Sequence, residues 1–341
     1  MSDPESLTKR RPVLSVDGLL EEFVPPPHFG AVRFANYIPD PVHPSQAATV
    51  AALSAFAGRM AAPSAPRRGF FRRPAPPEGR SGVYLDGGFG VGKTHLLASL
   101  WHAAPAPKRY GTFVEFTNLV GALGFRTAVE SLKGNRLVCI DEFELDDPGD
   151  TVLMSTLLGE LVEAGVFLAA TSNTLPDKLG EGRFAADDFL REIQGLAAHF
   201  DVLRIEGEDY RHRGLPSAPA PLSADAVRAA VEATPRAAVD DFGRLKRHLA
   251  TIHPSRFGAL VEGVSLLGIT DVRTVTDQAQ ALRLVVLVDR LYDRDVPVVA
   301  SGIPLDRLFS DDMLRGGYRK KYFRAISRLV ALARDGHAMV G

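Results

Sequence analysis

The sequence lacks the features that mark secreted, membrane-spanning and metal-binding proteins. Its single cysteine, Cys139, lies in an apolar run and cannot form an internal disulfide, so we expect a buried, inert thiol. It has no apolar run of about eighteen residues, and no apolar stretch follows the first basic residues. The nine histidines lack the spacing of metal ligands. These absences predict a cytoplasmic protein without a transmembrane segment, a redox site or a transition metal.

An excess of charge of either sign is also missing. The 40 basic and 41 acidic residues give a formal net charge of −1, which argues against a surface that is basic everywhere but leaves room for a local basic stripe. With 45% hydrophobic and 24% charged residues, the composition is that of a folded globular protein. A length of 341 residues allows one large domain and a smaller one.

The order of apolar and polar segments predicts three regions. Residues 1–30 are polar and end in three prolines, which predicts an extended, partly mobile N-terminal arm. In residues 31–214, short apolar runs alternate with helical patterns, as in a parallel β-sheet covered by helices on both faces. A Pro- and Ala-rich linker then leads into a C-terminal lobe, residues 215–341, with both helical and strand patterns. We therefore expect an α/β fold.

The strongest motif is a glycine-rich loop that follows an apolar strand and opens a helical pattern. It reads Gly87-Gly88-Phe89-Gly90-Val91-Gly92-Lys93-Thr94 and matches the phosphate-binding P-loop without a departure. Its glycines let backbone N–H groups surround phosphates, toward which the helix directs its positive N-terminal end. Lys93 is expected to contact the β- and γ-phosphates, and Thr94 to ligate Mg²⁺. With His95, which follows, this segment predicts the binding of ATP and Mg²⁺.

Two carboxylates end the apolar strand of residues 137–141. Asp141 is expected to hold Mg²⁺ through water, and Glu142 to orient or activate the attacking water. The alternative is that both merely cap the strand, but ligand chemistry at the carboxyl ends of parallel strands is typical of open α/β sheets. Because a small-molecule kinase has little use for a carboxylate that activates water, Glu142 favours ATP hydrolysis.

The next apolar strand ends in Thr171-Ser172-Asn173. Asn173 is expected to hydrogen-bond the attacking water or the γ-phosphate, and its order after the other two motifs favours this role over that of a turn residue. Together the three motifs predict an ATP hydrolase.

Taken in order, these segments resemble the ZapE cell-division ATPases and their mitochondrial relatives, the Afg-one-like AAA+ proteins. The segments that carry the resemblance are the P-loop with His95-Leu96-Leu97, residues 140–143, 170–173 and 208–211, the later segments 291–296 and 323–329, and the early His43-Pro44-Ser45-Gln46. The resemblance runs from about residue 33 to residue 333. It implies an AAA+ core, a C-terminal lid with an added α/β element, and a homo-oligomer that assembles with nucleotide.

The resemblance also implies roles that local patterns do not settle. Arg324 looks like the arginine that AAA+ lids supply to the γ-phosphate, with Arg328 as a second candidate and a solvated helical arginine as the alternative. Gln46 is expected near the adenine, or else as a polar residue at a helix start. Arg211 and Arg213 resemble family positions too, with salt bridges at a strand edge as the alternative.

One departure from the family concerns the arginine finger that reaches a neighbouring subunit's nucleotide. The family usually carries an arginine just before the residues that correspond to Phe189-Leu190, and here Asp187 and Asp188 occupy that stretch. We therefore expect Arg183 to act as the finger, with Arg191 as the second candidate.

The function implied is ATP-driven movement between subunits, coupled to the remodelling or regulation of a protein partner. In bacterial members this work is linked to the division ring and the inner membrane's cytoplasmic face, and in mitochondrial members to the turnover of membrane-protein subunits. We expect a cytoplasmic protein, peripheral at the membrane, acting in cell division or membrane-protein quality control.

The rival function is that of a replication initiator or helicase loader, because residues 90–97 also resemble those AAA+ families. Basic residues interleaved with aromatics at 67–73, and a basic run at 315–328, could hold nucleic acid through its phosphates, although a solvated connecting loop is the favoured interpretation of 67–73. The tail of residues 311–341 is too short for a complete helix-turn-helix module, so specific nucleic-acid binding is not expected. Intact Lys93, Asp141 and Glu142 argue against a third class, an inactive scaffold.

Overall fold

A computed structural model describes residues 5–13, 16–61, 80–88, 90–144, 148–175, 190–207 and 217–340. The chain divides into two compact units. One, the core unit, is Phe23–His212; the other, the C-terminal unit, combines Met1–Glu22 with Arg213–Gly341. Among the helices described, none combines the length and the apolar character that crossing a bilayer requires.

The helices, in chain order, are α1 (Val16–Glu21), α2 (Pro44–Ala61), α3 (Lys93–Ala103), α4 (Phe113–Leu123), α5 (Phe125–Lys133), α6 (Pro148–Glu163), α7 (Leu190–Ala197), α8 (Ala224–Ala233), α9 (Phe242–Leu249), α10 (Phe257–Leu260), α11 (Gln278–Asp293), α12 (Asp311–Arg315) and α13 (Arg319–Val340). The strands are β1 (Gly82–Gly87), β2 (Lys108–Thr112), β3 (Leu137–Asp141), β4 (Phe167–Ser172), β5 (Phe200–Ile205), β6 (Ala238–Asp241), β7 (Leu267–Val272) and β8 (Val298–Gly302).

The core unit is built on a five-stranded sheet in the order β2-β3-β4-β1-β5, and every pairing in it is parallel. All five residues of β3 are buried, as expected of a strand with both faces covered. On β1, Val83 and Leu85 join one apolar cluster, whereas Tyr84 packs edge-on against Phe143 and Phe200. Successive side chains on a strand point to opposite faces. The predicted parallel sheet covered by helices is therefore confirmed.

The C-terminal unit has its own parallel sheet, in the order β6-β7-β8. Its larger apolar cluster gathers residues of α9, α11 and α13 against the strands, and a smaller one joins α8 to the sheet. Helix α11 and strand β8 correspond to the helix and strand that the sequence predicts in this lobe. The added α/β element is thus present.

The N-terminal residues differ from the predicted extended arm. Leu7 is fully buried in the main cluster of the C-terminal unit, and Glu5 forms a parallel β-bridge with Ala238. Asp240 accepts hydrogen bonds from the Leu7 N–H at 2.8 Å and the Ser6 hydroxyl at 2.5 Å. Further along, residues 16–21 are helical. Composition missed these contacts because one buried leucine and a few hydrogen bonds anchor an otherwise polar segment.

Candidate nucleotide site

The P-loop joins the end of β1 to the start of α3, as the motif requires. Gly90 and Gly92 have φ angles of 84° and 86°, in the left-handed region that glycine reaches without strain. At residue 92 space is limiting as well, because a Cβ there would lie 2.6 Å from Cε2 of Tyr37. Phe89 lies outside the described residues. The remaining residues of the loop form a turn that lets the backbone approach a ligand closely.

Lys93, the first residue of α3, is held against the loop and against β4. Its ammonium group donates to the Gly87 carbonyl at 2.7 Å, the Gly88 carbonyl at 2.5 Å and the Asn173 side-chain oxygen at 2.8 Å. The structure therefore brings together two predicted site residues that are 80 positions apart. The contact exists because β4 lies beside β1 in the sheet.

Asp141, at the end of β3, collects several donors. One of its carboxylate oxygens accepts from the hydroxyl groups of Thr94, at 3.4 Å, and of Thr171. The other accepts from the Tyr110 hydroxyl at 2.8 Å. Burial first, and then the Asp141 charge, raises the pKa of Tyr110 well above its ordinary value. The phenol therefore stays protonated and holds one carboxylate oxygen, while Thr94 lies beside the other.

Glu142 has an unusual backbone conformation, with a φ of 54°. For a residue with a side chain, the left-handed region costs about 1–3 kcal/mol unless the surroundings hold it. Here the Glu142 N–H donates to the Thr171 hydroxyl at 3.0 Å and to Asp141 at 3.1 Å. The next N–H, of Phe143, donates to the Thr171 carbonyl at 2.7 Å. Thr171 thus stabilises the turn that carries both carboxylates.

Comparison with known proteins decides the family. A model described as AFG1-like ATPase matches residues 14–234 and 224–338. The chain belongs to the AFG1-like ATPase family. The predicted family, the AAA+ P-loop fold and the ATPase activity are confirmed, and with them the binding of ATP.

Two curated relatives show the extent of the similarity. The cell division protein ZapE of Escherichia coli (strain K12) is 27% identical over 296 residues, covering 73% of this chain and 76% of that protein. Lactation elevated protein 1 homolog B of Danio rerio is 26% identical over 304 residues, covering 72% of this chain and 59% of the relative. Among solved structures, domain III of the replication initiation protein DnaA from Thermotoga maritima aligns with a TM-score of 0.39 and 22% identity, covering 54% of this chain and 69% of that one.

Tyr37 is a residue of this AFG1-like ATPase that sequence reasoning missed. Its hydroxyl donates to the Val91 carbonyl at 2.9 Å, and its ring meets His95 edge-on with 5.5 Å between the ring centroids. Burial raises the pKa of Tyr37, which keeps the hydroxyl a donor. Tyr37 belongs to no sequence motif, so its contacts with the P-loop are visible only in the folded structure.

Tyr110 and Thr171 were also missed as supports of the carboxylates. Tyr110 lies opposite Cys139 in the pairing of β2 with β3, and therefore on the same face as Asp141. Tyr110 lies near Asp141 because β2 pairs with β3, and no local sequence pattern predicts that pairing. Thr171 belongs to the strand end that contains Asn173, but nothing in the sequence connects its hydroxyl to Asp141.

Gln46 occupies a structural position in the core unit. Its side-chain oxygen accepts from the Asp40 N–H at 2.8 Å, and its amide nitrogen donates to the Glu206 carbonyl at 2.9 Å. The residue is 7% exposed, and both ends of its amide have backbone partners. This arrangement supports the reading of a structural residue at a helix start, and a role near adenine stays a prediction.

Of the arginines predicted near the nucleotide in the core unit, the structure describes Arg191 alone. Arg183, and likewise Arg211 and Arg213, lie outside the part of the chain that is described. Arg191 is exposed at the start of α7. The arginine-finger assignment therefore stays a prediction.

Arg324 and Arg328, both on α13, bind one carboxylate of the C-terminal unit. Their guanidinium groups lie 2.9 Å and 2.6 Å from the two oxygens of Asp289 on α11. Burial alone would raise the pKa of Asp289, but the two adjacent guanidiniums outweigh it and hold that pKa below its ordinary value. Arg324 thus has an ion-pair partner within its own unit, and contact with a γ-phosphate stays a prediction.

Proposed function

We propose that this AAA+ ATPase uses Mg²⁺-dependent ATP hydrolysis in a homo-oligomer to remodel or regulate a protein partner. The observation that carries the proposal is the meeting of Lys93 and Asn173 beside a Thr94–Asp141 pair, with Glu142 on a backbone turn held by its neighbours. A phosphate clamp, a metal-binding pair and a carboxylate for water are the parts that ATP hydrolysis needs.

Thr94 and Asp141 fit a Mg²⁺ ion. Magnesium prefers oxygen ligands and is held by one or two protein groups together with phosphates and water, so a hydroxyl beside a carboxylate suffices. When bound, the ion would neutralise charge on the phosphates. Tyr110 and Thr171 would keep the Asp141 oxygens in place for it.

Glu142 would act as the general base or orienting group for water, and Asn173 as the sensor of the γ-phosphate. Lys93 now donates to Asn173, and a γ-phosphate would accept from the same ammonium group. Entry of ATP would therefore change the Lys93–Asn173 contact. This change would report the state of the nucleotide to β4 and to the segment that follows it.

The protein-partner role rests on similarity. The relative from Escherichia coli is called a cell division protein, which supports a partner in the division machinery. A position at the cytoplasmic face of the membrane rests on the family resemblance alone. Neither the partner nor the arginine finger follows from contacts in the described residues. The rival role, in handling nucleic acid during replication, makes a different prediction for the same experiment.

The experiment is affinity capture with Glu142→Gln, which should bind ATP without hydrolysing it. Lys93→Ala, which should not bind ATP, is the matched control. The proposal would be supported if, in the presence of ATP, Glu142→Gln retains division-ring or membrane-associated proteins and Lys93→Ala does not. Nuclease-sensitive retention, or sequence-preferring DNA binding that resists salt, would contradict it and support the replication role.

A further inference from the structure

The C-terminal unit contains a cavity that the ATPase chemistry does not use. Its volume is about 680 Å³, within the range of small-molecule sites. The lining includes Lys9 and Arg11 from residues 6–11, and Arg244 and Arg247 from α9. All the lining residues belong to one compact unit.

The positive charges of the basic side chains that line the cavity have few acidic partners. Within the described part of the chain, no ion pair forms at Lys9, Arg244 or Arg247, and all three residues are exposed. The lining holds four Lys and Arg residues against two carboxylates, an excess of two positive charges. Like charges gathered around one cavity repel, and a bound anion would relieve that repulsion.

Both carboxylates of the lining already have structural partners. Asp240 accepts from the N–H groups of Leu7 and Thr8, at 2.8 Å and 3.3 Å. Asp241 caps α9 by accepting from the Arg244 N–H at 2.8 Å. Their oxygens are therefore engaged by backbone N–H groups and the Ser6 hydroxyl, and among the described residues neither forms an ion pair with a cation of the lining.

Arg11 is held in place by neutral groups. Its guanidinium donates to Nδ1 of His248 at 2.6 Å and to the Thr251 hydroxyl at 3.2 Å. Burial, and next the charge of Arg11, lowers the pKa of His248, so the imidazole is neutral at pH 7. With Nδ1 accepting, Nε2 donates to the Arg10 carbonyl at 3.0 Å. Arg11 is thus oriented by partners that carry no negative charge, and its own charge is not cancelled.

The position in the fold is also that of a ligand site. The cavity lies at the carboxyl end of β6, and ligands of open α/β sheets bind outside the carboxyl ends of the strands. Guanidinium and ammonium donors around one space are groups that recognise phosphate oxygens.

We propose that this cavity binds a phosphate-bearing small molecule, with its anionic group held by Lys9, Arg11, Arg244 and Arg247. The ligand would join the N-terminal segment to α9. The proposal concerns the C-terminal unit alone and does not depend on how ATP is hydrolysed.

The test is calorimetric titration of the full chain with inorganic pyrophosphate. All proteins carry Lys93→Ala, so that the P-loop does not take up the probe. Arg244→Gln with Arg247→Gln should weaken binding by at least about tenfold, because each lost guanidinium removes charge-assisted hydrogen bonds. Arg228→Gln with Arg273→Gln removes the same charge from exposed positions of this unit outside the cavity, and should change the affinity by less than about twofold.

Lys9→Gln provides a second variant, in the N-terminal part of the lining, and should weaken binding as well. A second experiment, sedimentation with phosphatidylglycerol vesicles, distinguishes a free phosphate-bearing molecule from a lipid headgroup. A loss confined to pyrophosphate supports a free small molecule, and a parallel loss of vesicle binding supports a lipid headgroup in the same cavity. If both double variants behave alike in both experiments, or the parent binds neither probe, the proposal is wrong.

Discussion

Replacing Thr171 by valine would test whether the turn after β3 positions the catalytic carboxylates. Valine keeps the shape of threonine but removes the hydroxyl that donates to Asp141 and accepts from the Glu142 N–H. The position is 1% exposed, so water cannot replace the lost partner. A hydrogen bond to a charged group contributes about 1.5–3 kcal/mol, which corresponds to roughly a tenfold to hundredfold loss of kcat if the bond acts in the transition state.

The assay is steady-state ATP turnover beside the measured affinity for ATP, each at several Mg²⁺ concentrations. We expect a lower kcat, a higher Mg²⁺ concentration for half-maximal activity, and an ATP affinity within about threefold of the parent. Thr171→Ser, which restores the hydroxyl, should recover most of the activity, and thermal unfolding shows whether each variant is folded. A folded Thr171→Val protein with the parent's turnover would refute the idea that this hydroxyl positions Asp141 and Glu142.

Three further predictions follow from the site and from the C-terminal unit. Lys93→Ala should abolish ATP binding, whereas Glu142→Gln should keep binding and lose hydrolysis, which nucleotide titration and turnover would separate. Specific activity should rise with protein concentration, and Arg183→Ala should lower turnover by at least roughly tenfold with binding intact, Arg191→Ala serving as the control. Mixing Arg183→Ala with Lys93→Ala should restore activity, and no recovery in assembled mixtures, checked by light scattering, would exclude a finger that acts between subunits. Asp289→Asn should lower the free energy of unfolding at pH 7 by about 1–3 kcal/mol, since the guanidinium groups of Arg324 and Arg328 lose this carboxylate. Because the folded-state pKa of Asp289 lies below the ordinary 3.8, this contribution is present above that pH and is lost as pH falls through the folded-state value, so variant and parent should converge in acid.

Local motifs predicted the parts of the site that lie on single segments. The P-loop, the carboxylates of β3 and the polar end of β4 each combine a residue pattern with a strand end, and strand ends gather in a parallel sheet. The sheet then places Asn173 against Lys93. A contact of this kind could be expected from the sequence, because local sequence patterns show both the chemistry of the residues and their positions at strand ends.

The residues that hold the site residues in place are determined by which strands and helices lie next to each other in the fold. Tyr110 reaches Asp141 because β2 pairs with β3, and Tyr37 reaches Val91 across 54 positions of sequence. No periodicity or spacing encodes such contacts. The anchoring of the N-terminal segment was missed for a related reason, because it depends on the burial of Leu7 and on hydrogen bonds to Asp240, which is distant in sequence.

The anchoring of that segment has a consequence for how the chain folds as it is synthesised. Leu7 and Asp240 are 233 residues apart, and the entire core unit lies between them in the sequence. At 5–20 residues per second, roughly ten to fifty seconds separate the synthesis of Leu7 from that of Asp240. The core unit can fold during that interval, whereas the C-terminal unit must wait for segments from both sides of the core unit to meet. A chain that stops between the core unit and β6 would therefore leave Leu7 without the apolar cluster that buries it.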